Sequence, residues 1–192
     1  MKKRIEICGG IASGKTSLAQ ILENEGYSAV YERFEDNPFL NKFYTDGEDN
    51  NVLETEIVFT LLHYNCIKRS NNKAKIVCDY SLFQDYCYGL NNLNEDERIV
   101  FKKLYQYLVS QISPVDLLIY LKCDVDCLIQ RIKERDRKME QSISKEYLQS
   151  NIDTIEKYLI EKDNVLIIQS DKYNFIEGDR GLVLEMIRNV VK

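Results

Sequence analysis

The chain has 192 residues, 44% hydrophobic and 30% charged, with a net charge of −5 and a pI near 5.1. That length suits one compact domain over residues 1–192. The acidic balance argues against a partner that is a nucleic-acid polymer, and no apolar run approaches the roughly 18 residues that cross a bilayer.

The opening Met-Lys-Lys-Arg is basic. The apolar stretch behind it, Ile5-Glu6-Ile7-Cys8, is short and broken by a carboxylate, so no signal peptide is expected. Arg4–Cys8 reads as a first strand. Lys15–Asn24 reads as a helix that Gly26 stops. Ser28–Tyr31 is a short strand, and Asn37 with Pro38 marks a helix start. Val52–Arg69 is a long helix, apolar through Ile57, Leu61, Tyr64 and Ile67. Lys75–Cys78 is a strand ending at Asp79, and helices follow over 82–90 and 95–111. Asp116–Lys122 is the clearest buried strand. Asp124–Arg135 is a helix capped by Asp124, and Arg135–Ser142 is a charged loop. A helix over Ser144–Ile160, a strand over Asn164–Gln169 and a helix over 179–191 complete the chain.

Short apolar runs that alternate with amphipathic stretches imply an α/β fold with a five-stranded parallel sheet. Right-handed crossovers then put helices on both faces. Ligands in such sheets bind beyond the carboxyl ends of the strands. The six cysteines are scattered and form no CxxC pair. They read as reduced thiols of a cytoplasmic protein. Cys123 and Cys127 lack the partners that would complete a zinc site.

Gly9-Gly10-Ile11-Ala12-Ser13-Gly14-Lys15-Thr16 fits G-x-x-x-x-G-K-[ST] between a strand and a helix. This P-loop turns successive N–H groups toward phosphate oxygens, and the following helix start, with Ser17, adds a positive field. Lys15 supplies charge for the β- and γ-phosphates of ATP, and the Thr16 hydroxyl suits Mg²⁺. Three further groups stand where chemistry is expected: Glu32 after the second strand, Asp79 at the end of the third, and Arg131, Arg135 and Arg137 late in the chain. A carboxylate beside a P-loop can hold Mg²⁺. Another can take a proton from an attacking hydroxyl. Arginines that close over phosphates stabilise charge in transfer. Tyr31, Phe34, Phe39, Phe59, Tyr86 and Tyr88 are candidates for stacking on a base. Phe59 and Phe83 are the best placed, on elements expected to face the acceptor cleft.

With these residues in view, the chain resembles the deoxyribonucleoside kinases, especially the small bacterial deoxyadenosine and deoxyguanosine kinases. The resemblance runs from the P-loop to about Tyr158. The segment Tyr31-Glu32-Arg33-Phe34-Glu35-Asp36-Asn37-Pro38-Phe39-Leu40 is similar to the family's Glu-Pro segment. It implies that Glu32 is the general base on the 5′-hydroxyl. Cys78-Asp79-Tyr80-Ser81-Leu82-Phe83-Gln84-Asp85 looks like the Asp/Glu-Arg-Ser segment. There Asp79 would serve Mg²⁺, and Asp85 the base or its bound arginine. Arg131, Arg135 and Arg137 match the family's lid arginines, and Glu140 a lid glutamate that reaches the sugar 3′-hydroxyl. The implied fold is the P-loop NTPase fold with an arginine-bearing lid, and the helices 52–69 and 95–111 imply a homodimer face.

Four positions depart from the family. Tyr80 stands for an arginine that contacts phosphate, and Arg33 for the proline after the glutamate. Glu56 stands for a base-pairing glutamine, with His63 for the arginine seven residues on. A carboxylate in place of an amide loses a donor and gains charge, which should move base preference toward bases presenting N–H. The expected reaction is ATP- and Mg²⁺-dependent phosphorylation of a (deoxy)ribonucleoside. A nucleoside monophosphate kinase, which would need an acceptor-side cation such as Arg33, and a degenerate nucleotide-binding protein are the alternatives.

Overall fold

The computed structural model describes residues 3–44, 51–70, 72–175 and 178–190. Five parallel strands form one sheet, β1 (Lys3–Gly9), β2 (Ser28–Val30), β3 (Lys75–Cys78), β4 (Leu117–Lys122) and β5 (Val165–Gln169), in the order β2-β3-β1-β4-β5. Eight α-helices surround it among the described residues: α1 (Lys15–Asn24), α2 (Leu40–Phe43), α3 (Val52–Arg69), α4 (Leu82–Asn92), α5 (Glu95–Ser110), α6 (Val125–Arg135), α7 (Lys145–Leu159) and α8 (Arg180–Val190).

Strand periodicity decides which side chains face which helices. Ile5 and Ile7 of β1, and Leu117, Ile119 and Leu121 of β4, join α1 and α8 in one core on one side of the sheet. Cys8, Leu118 and Tyr120 point the other way, onto Phe83 and Cys87 of α4 and Ile155 and Leu159 of α7. Both faces are therefore covered, as the near-continuous apolar strands require. Helix α3 closes over β3 through Ile67, Ile76 and Cys78.

Most element ends follow the residues that signalled them. Gly26, at φ +88°, stops α1 with its N–H on the Glu23 carbonyl while Tyr27 N–H bonds the Leu22 carbonyl, a Schellman end. Ser81, Asp124 and Ser144 cap α4, α6 and α7 through their side chains. Asn37 does accept the Phe39 N–H at 3.1 Å, but the helix starts only at Leu40 and lasts one turn. The buried Asn37 amide also donates to the Thr55 carbonyl at 3.1 Å, which fastens the segment after Glu32 to α3. The charged loop after α6 turns at Asp136, at φ +51°, into a 3-10 turn over Lys138–Glu140.

Candidate active site

The carboxyl ends of β1, β2, β3 and β5 open into one cleft of about 1190 Å³, bordered by the P-loop, α3, α4, the segment after α6 and the segment after β5. Residues 11–17 line it directly. Gly9 has φ +151° and no room for a side chain, since a Cβ would lie 2.7 Å from Ser13 Oγ and 2.8 Å from the Leu121 carbonyl oxygen. Gly14, at φ +99°, begins α1 with no side-chain cap, leaving the first-turn N–H groups directed at an incoming anion. Lys15 folds back over the loop and donates to the carbonyls of Gly9 (2.9 Å) and Gly10 (3.0 Å). Burial lowers its pKa, against the opposing pull of Glu32 and Asp79.

Asp79 ties this loop to the acceptor side. Its Oδ2 accepts the Thr16 hydroxyl at 2.8 Å, and its Oδ1 accepts the Glu32 backbone N–H at 2.6 Å. Thr16 and Asp79 thus stand together as hard oxygen donors, the donor set Mg²⁺ takes. Burial raises the Asp79 carboxyl, and the bonds from Glu32 and Thr16 offset part of that. The Glu32 side chain keeps 34% of its surface open. Burial pushes its carboxyl up, yet His63, Lys15 and Arg137 outweigh this and hold it below its ordinary value.

The three arginines divide in two. Arg131 is anchored, donating to the Ser170 carbonyl at 2.7 Å and the Ser13 carbonyl at 3.4 Å. Arg135 and Arg137 instead both pair with Glu140, and the Arg137 guanidinium lies 4.5 Å over the Phe34 ring. All three line the cleft beside the P-loop, as does Glu140.

At the far end, Glu56 and Phe59 of α3 and Asp85 of α4 all border the cleft, as expected. Phe83 does not. It is buried among Cys8, Cys87, Tyr120 and Ile155 on the sheet side of α4, with Lys162 over its ring at 5.2 Å. Its neighbour Gln84 takes the cleft position and accepts the Gly9 N–H at 2.9 Å. Phe39 and Tyr86 are likewise absent from the lining, whereas Tyr31, Phe34 and Tyr88 belong to it. Asn92 is a further group at this end that the linear pattern does not single out, and Tyr147 lines the cleft beside it. Asn92 donates to Glu56 Oε1 at 2.7 Å and to the Tyr147 hydroxyl at 3.4 Å.

Burial pushes the Glu56 carboxyl up to about 8, with the Asn92 bond resisting and Asp85 adding to the rise. The expectation of an anionic residue is thereby altered. With a pKa of about 8, Glu56 is mostly protonated at neutral pH and then offers one O–H donor beside its acceptor oxygens, one donor fewer than an amide.

His63 also lines this end of the cleft. It is buried, its Nδ1 lies 2.8 and 3.0 Å from the two Asp85 oxygens, and its Nε2 lies 3.3 Å from Glu32 Oε1. Tyr80 stacks on the imidazole at 3.9 Å and 10°, buried beneath it. Arg33 is exposed and lies outside the cleft lining, so it supplies no second phosphate site there.

The fold and this cleft are those of a P-loop phosphotransferase. The chain matches the deoxynucleoside kinase family model over residues 5–192, and it belongs to that family. The deoxyguanosine kinase of Bacillus subtilis (strain 168) is 29% identical over 184 residues, spanning 90% of this chain and 88% of that protein. A deoxyadenosine kinase of Lactobacillus acidophilus is 28% identical over 192 residues, spanning 90% and 87%. Among solved structures, the deoxyadenosine kinase from M. mycoides with bound dCTP superposes with a TM-score of 0.81 at 21% identity, covering 97% of this chain and 99% of that one. Among the described residues, no helix is long and apolar enough to cross a membrane.

Proposed function

We propose that this chain transfers the γ-phosphoryl group of ATP to the 5′-hydroxyl of a (deoxy)ribonucleoside with Mg²⁺, and that Glu32 is the base. The hydroxyl proton passes to the Glu32 carboxylate while the oxygen forms its bond to the γ-phosphorus. The bond from that phosphorus to the bridging oxygen breaks, and ADP leaves. Lys15 exchanges its loop carbonyls for phosphate oxygens, and Arg131, Arg135 and Arg137 neutralise the charge on the transferring group. Thr16 and Asp79 would hold the metal, which when bound neutralises phosphate charge. Glu56 and Phe59 meet the base, Asp85 acts through His63, and Glu140 serves the sugar.

One observation carries the reading. Asp79 bonds the P-loop hydroxyl with one oxygen and the backbone of the candidate base with the other, so metal, donor and acceptor functions meet within one carboxylate's reach. The exposed Val100 and Tyr107 of α5 and Leu61 of α3 support a homodimer through those helices. Six free thiols suit a reducing compartment, the cytoplasm. The test is Mg-ATP turnover against a panel of ribo- and deoxyribonucleosides. Phosphorylation of a nucleoside, lost by about 10²–10⁴-fold in Glu32→Gln, is the expected result. Turnover of monophosphates alone would replace this reading with the monophosphate kinase.

A further inference from the structure

Two carboxylates from separate elements meet at the only histidine of the chain. Asp85, in the first turn of α4, addresses Nδ1 with both oxygens, at 2.8 and 3.0 Å. Glu32, after β2, addresses Nε2 at 3.3 Å. A neutral imidazole carries one N–H and one lone pair. Either neutral tautomer would therefore point a lone pair at a carboxylate at close range inside a buried site. Only the doubly protonated ring gives each carboxylate an N–H. We propose that His63, as an imidazolium, is the positioning residue of this kinase, holding the Glu32 carboxylate toward the acceptor hydroxyl and anchored in turn by Asp85.

The surroundings fit that assignment. The Tyr80 ring stacks on one face of the imidazole at 3.9 Å and 10°, and the Phe59 ring lies 5.8 Å away at 33°. Tyr80 also donates its hydroxyl to the His63 carbonyl at 3.4 Å. The ring plane is thus set by packing before any ligand arrives, and stacking on an aromatic face suits a cation. The charges around it have the right balance. Besides Glu32 and Asp85, the buried Glu6 of β1 feels the histidine, and Asp85 in turn raises Glu56 of the same helix as His63. Lys15 and Arg137 act on Glu32 and hold its carboxyl down together with His63. Burial works against the charged ring, and Asp85 and Glu32 outweigh it, raising the imidazole to about 10. The Nε2–H is not well aligned on Glu32 and counts as lacking a hydrogen-bond partner. A contact of that kind tightens when the acceptor hydroxyl fills the remaining gap. Both Asp85 oxygens lie within hydrogen-bond reach of Nδ1, which ties the carboxylate to the ring while Asp85 still borders the cleft.

This inference rests on the reading of Glu32 as the base, and one measurement is independent of that reading. In full-length protein labelled with ¹⁵N-histidine, the single imidazole should show two protonated nitrogens at pH 7 and keep them above pH 8. A single neutral tautomer at pH 7, or titration near 6.5, would overturn the proposal even if the enzyme phosphorylates nucleosides. If no nucleoside is turned over, the base reading fails while this spectrum still judges the imidazolium. With a turned-over nucleoside in hand, His63→Gln should lower kcat at least tenfold and leave KM for ATP within about twofold, with His63→Lys recovering part of kcat. Asp85→Asn should lower kcat in the wild-type background and add little in His63→Gln. Full additivity of the two, or an unchanged kcat in folded His63→Gln, would remove His63 from the machinery.

Discussion

Glu56→Gln isolates the cost of a buried carboxyl in the acceptor end of the cleft. Glu56 is 4% exposed and its carboxyl is raised from 4.5 to about 8. Between those values the folded chain holds a proton that the unfolded chain has released. Stability therefore falls as pH rises through that window, by about 1.4 kcal/mol per pH unit. The accumulated cost is about 2 kcal/mol at pH 6, about 3 at pH 7 and approaches about 5 by pH 9. These are upper bounds, since the cleft lets water reach an ionised oxygen. The amide keeps an oxygen for Asn92 and never ionises. Urea unfolding of both proteins at pH 6, 7.5 and 9 should show Glu56→Gln gaining on the wild type with every step. Acceptor choice should follow the same proton. The neutral carboxyl, one donor and one acceptor, matches the amino-and-ring-nitrogen edge of adenine or cytosine, whereas the carboxylate accepts from the two N–H groups of guanine. Competition between dA and dG should therefore drift toward dG from pH 6.5 to 9 in the wild type and stay flat in the variant. A stability gap that ignores pH would refute the argument, because it would mean that Glu56 is ionised throughout or bears no desolvation cost.

Phe83→Leu should cost about 1–2 kcal/mol in denaturant unfolding while KM for nucleoside stays within about twofold; a large rise in KM would return Phe83 to the acceptor site. Gly89→Ala should destabilise by about 1–3 kcal/mol despite the better helix propensity of alanine. The added Cβ would lie 2.2 Å from Phe101 Cε1, where α4 and α5 touch, and unchanged stability would refute that close approach. Val100→Glu with Tyr107→Glu, at 57% and 63% exposed positions seven residues apart on α5, should convert a dimer to a monomer in sedimentation equilibrium. A wild-type chain that is already monomeric would remove the homodimer.

The fold was legible because its signals are local. The strand at Asp116–Lys122 is apolar at every position but its ends, and β4 is buried through Leu121. The P-loop glycines mark backbone shapes that side chains oppose, and Gly9 and Gly14 take them. The caps at Asp124 and Ser144 formed because each stands one residue before a helical pattern, whereas the cap of α4 is Ser81, which that pattern does not single out. Asn37 shows where local signals run short. Its side chain accepts the Phe39 N–H but caps no helix, since α2 begins only at Leu40 without a side-chain cap; the segment is fastened instead to the Thr55 carbonyl of α3, a partner 18 residues away.

The site was legible as a list and not as a set of pairings. Glu32, Asp79 and Lys15 are recognisable because each sits at a strand or helix end beside a phosphate motif, and the arginines because they cluster from α6 into the segment after it. What each side chain does there depends on partners that the spacing does not reveal. Phe83 and Gln84 differ by one step along α4, and one step turns a side chain by about 100°. That rotation sends the aromatic ring into the core and the amide to the P-loop. Glu56 and His63 are seven residues apart and share a face of α3, so their spacing does put both at the cleft. Their protonation is another matter. Burial alone would keep both groups neutral. Glu56 stays neutral because its one bonded oxygen meets an uncharged amide. His63 becomes charged because two carboxylates converge on it from β2 and α4. The same desolvation thus yields opposite charge states on one helix face, and the difference lies wholly in contacts 31 residues back to Glu32 and 22 residues on to Asp85.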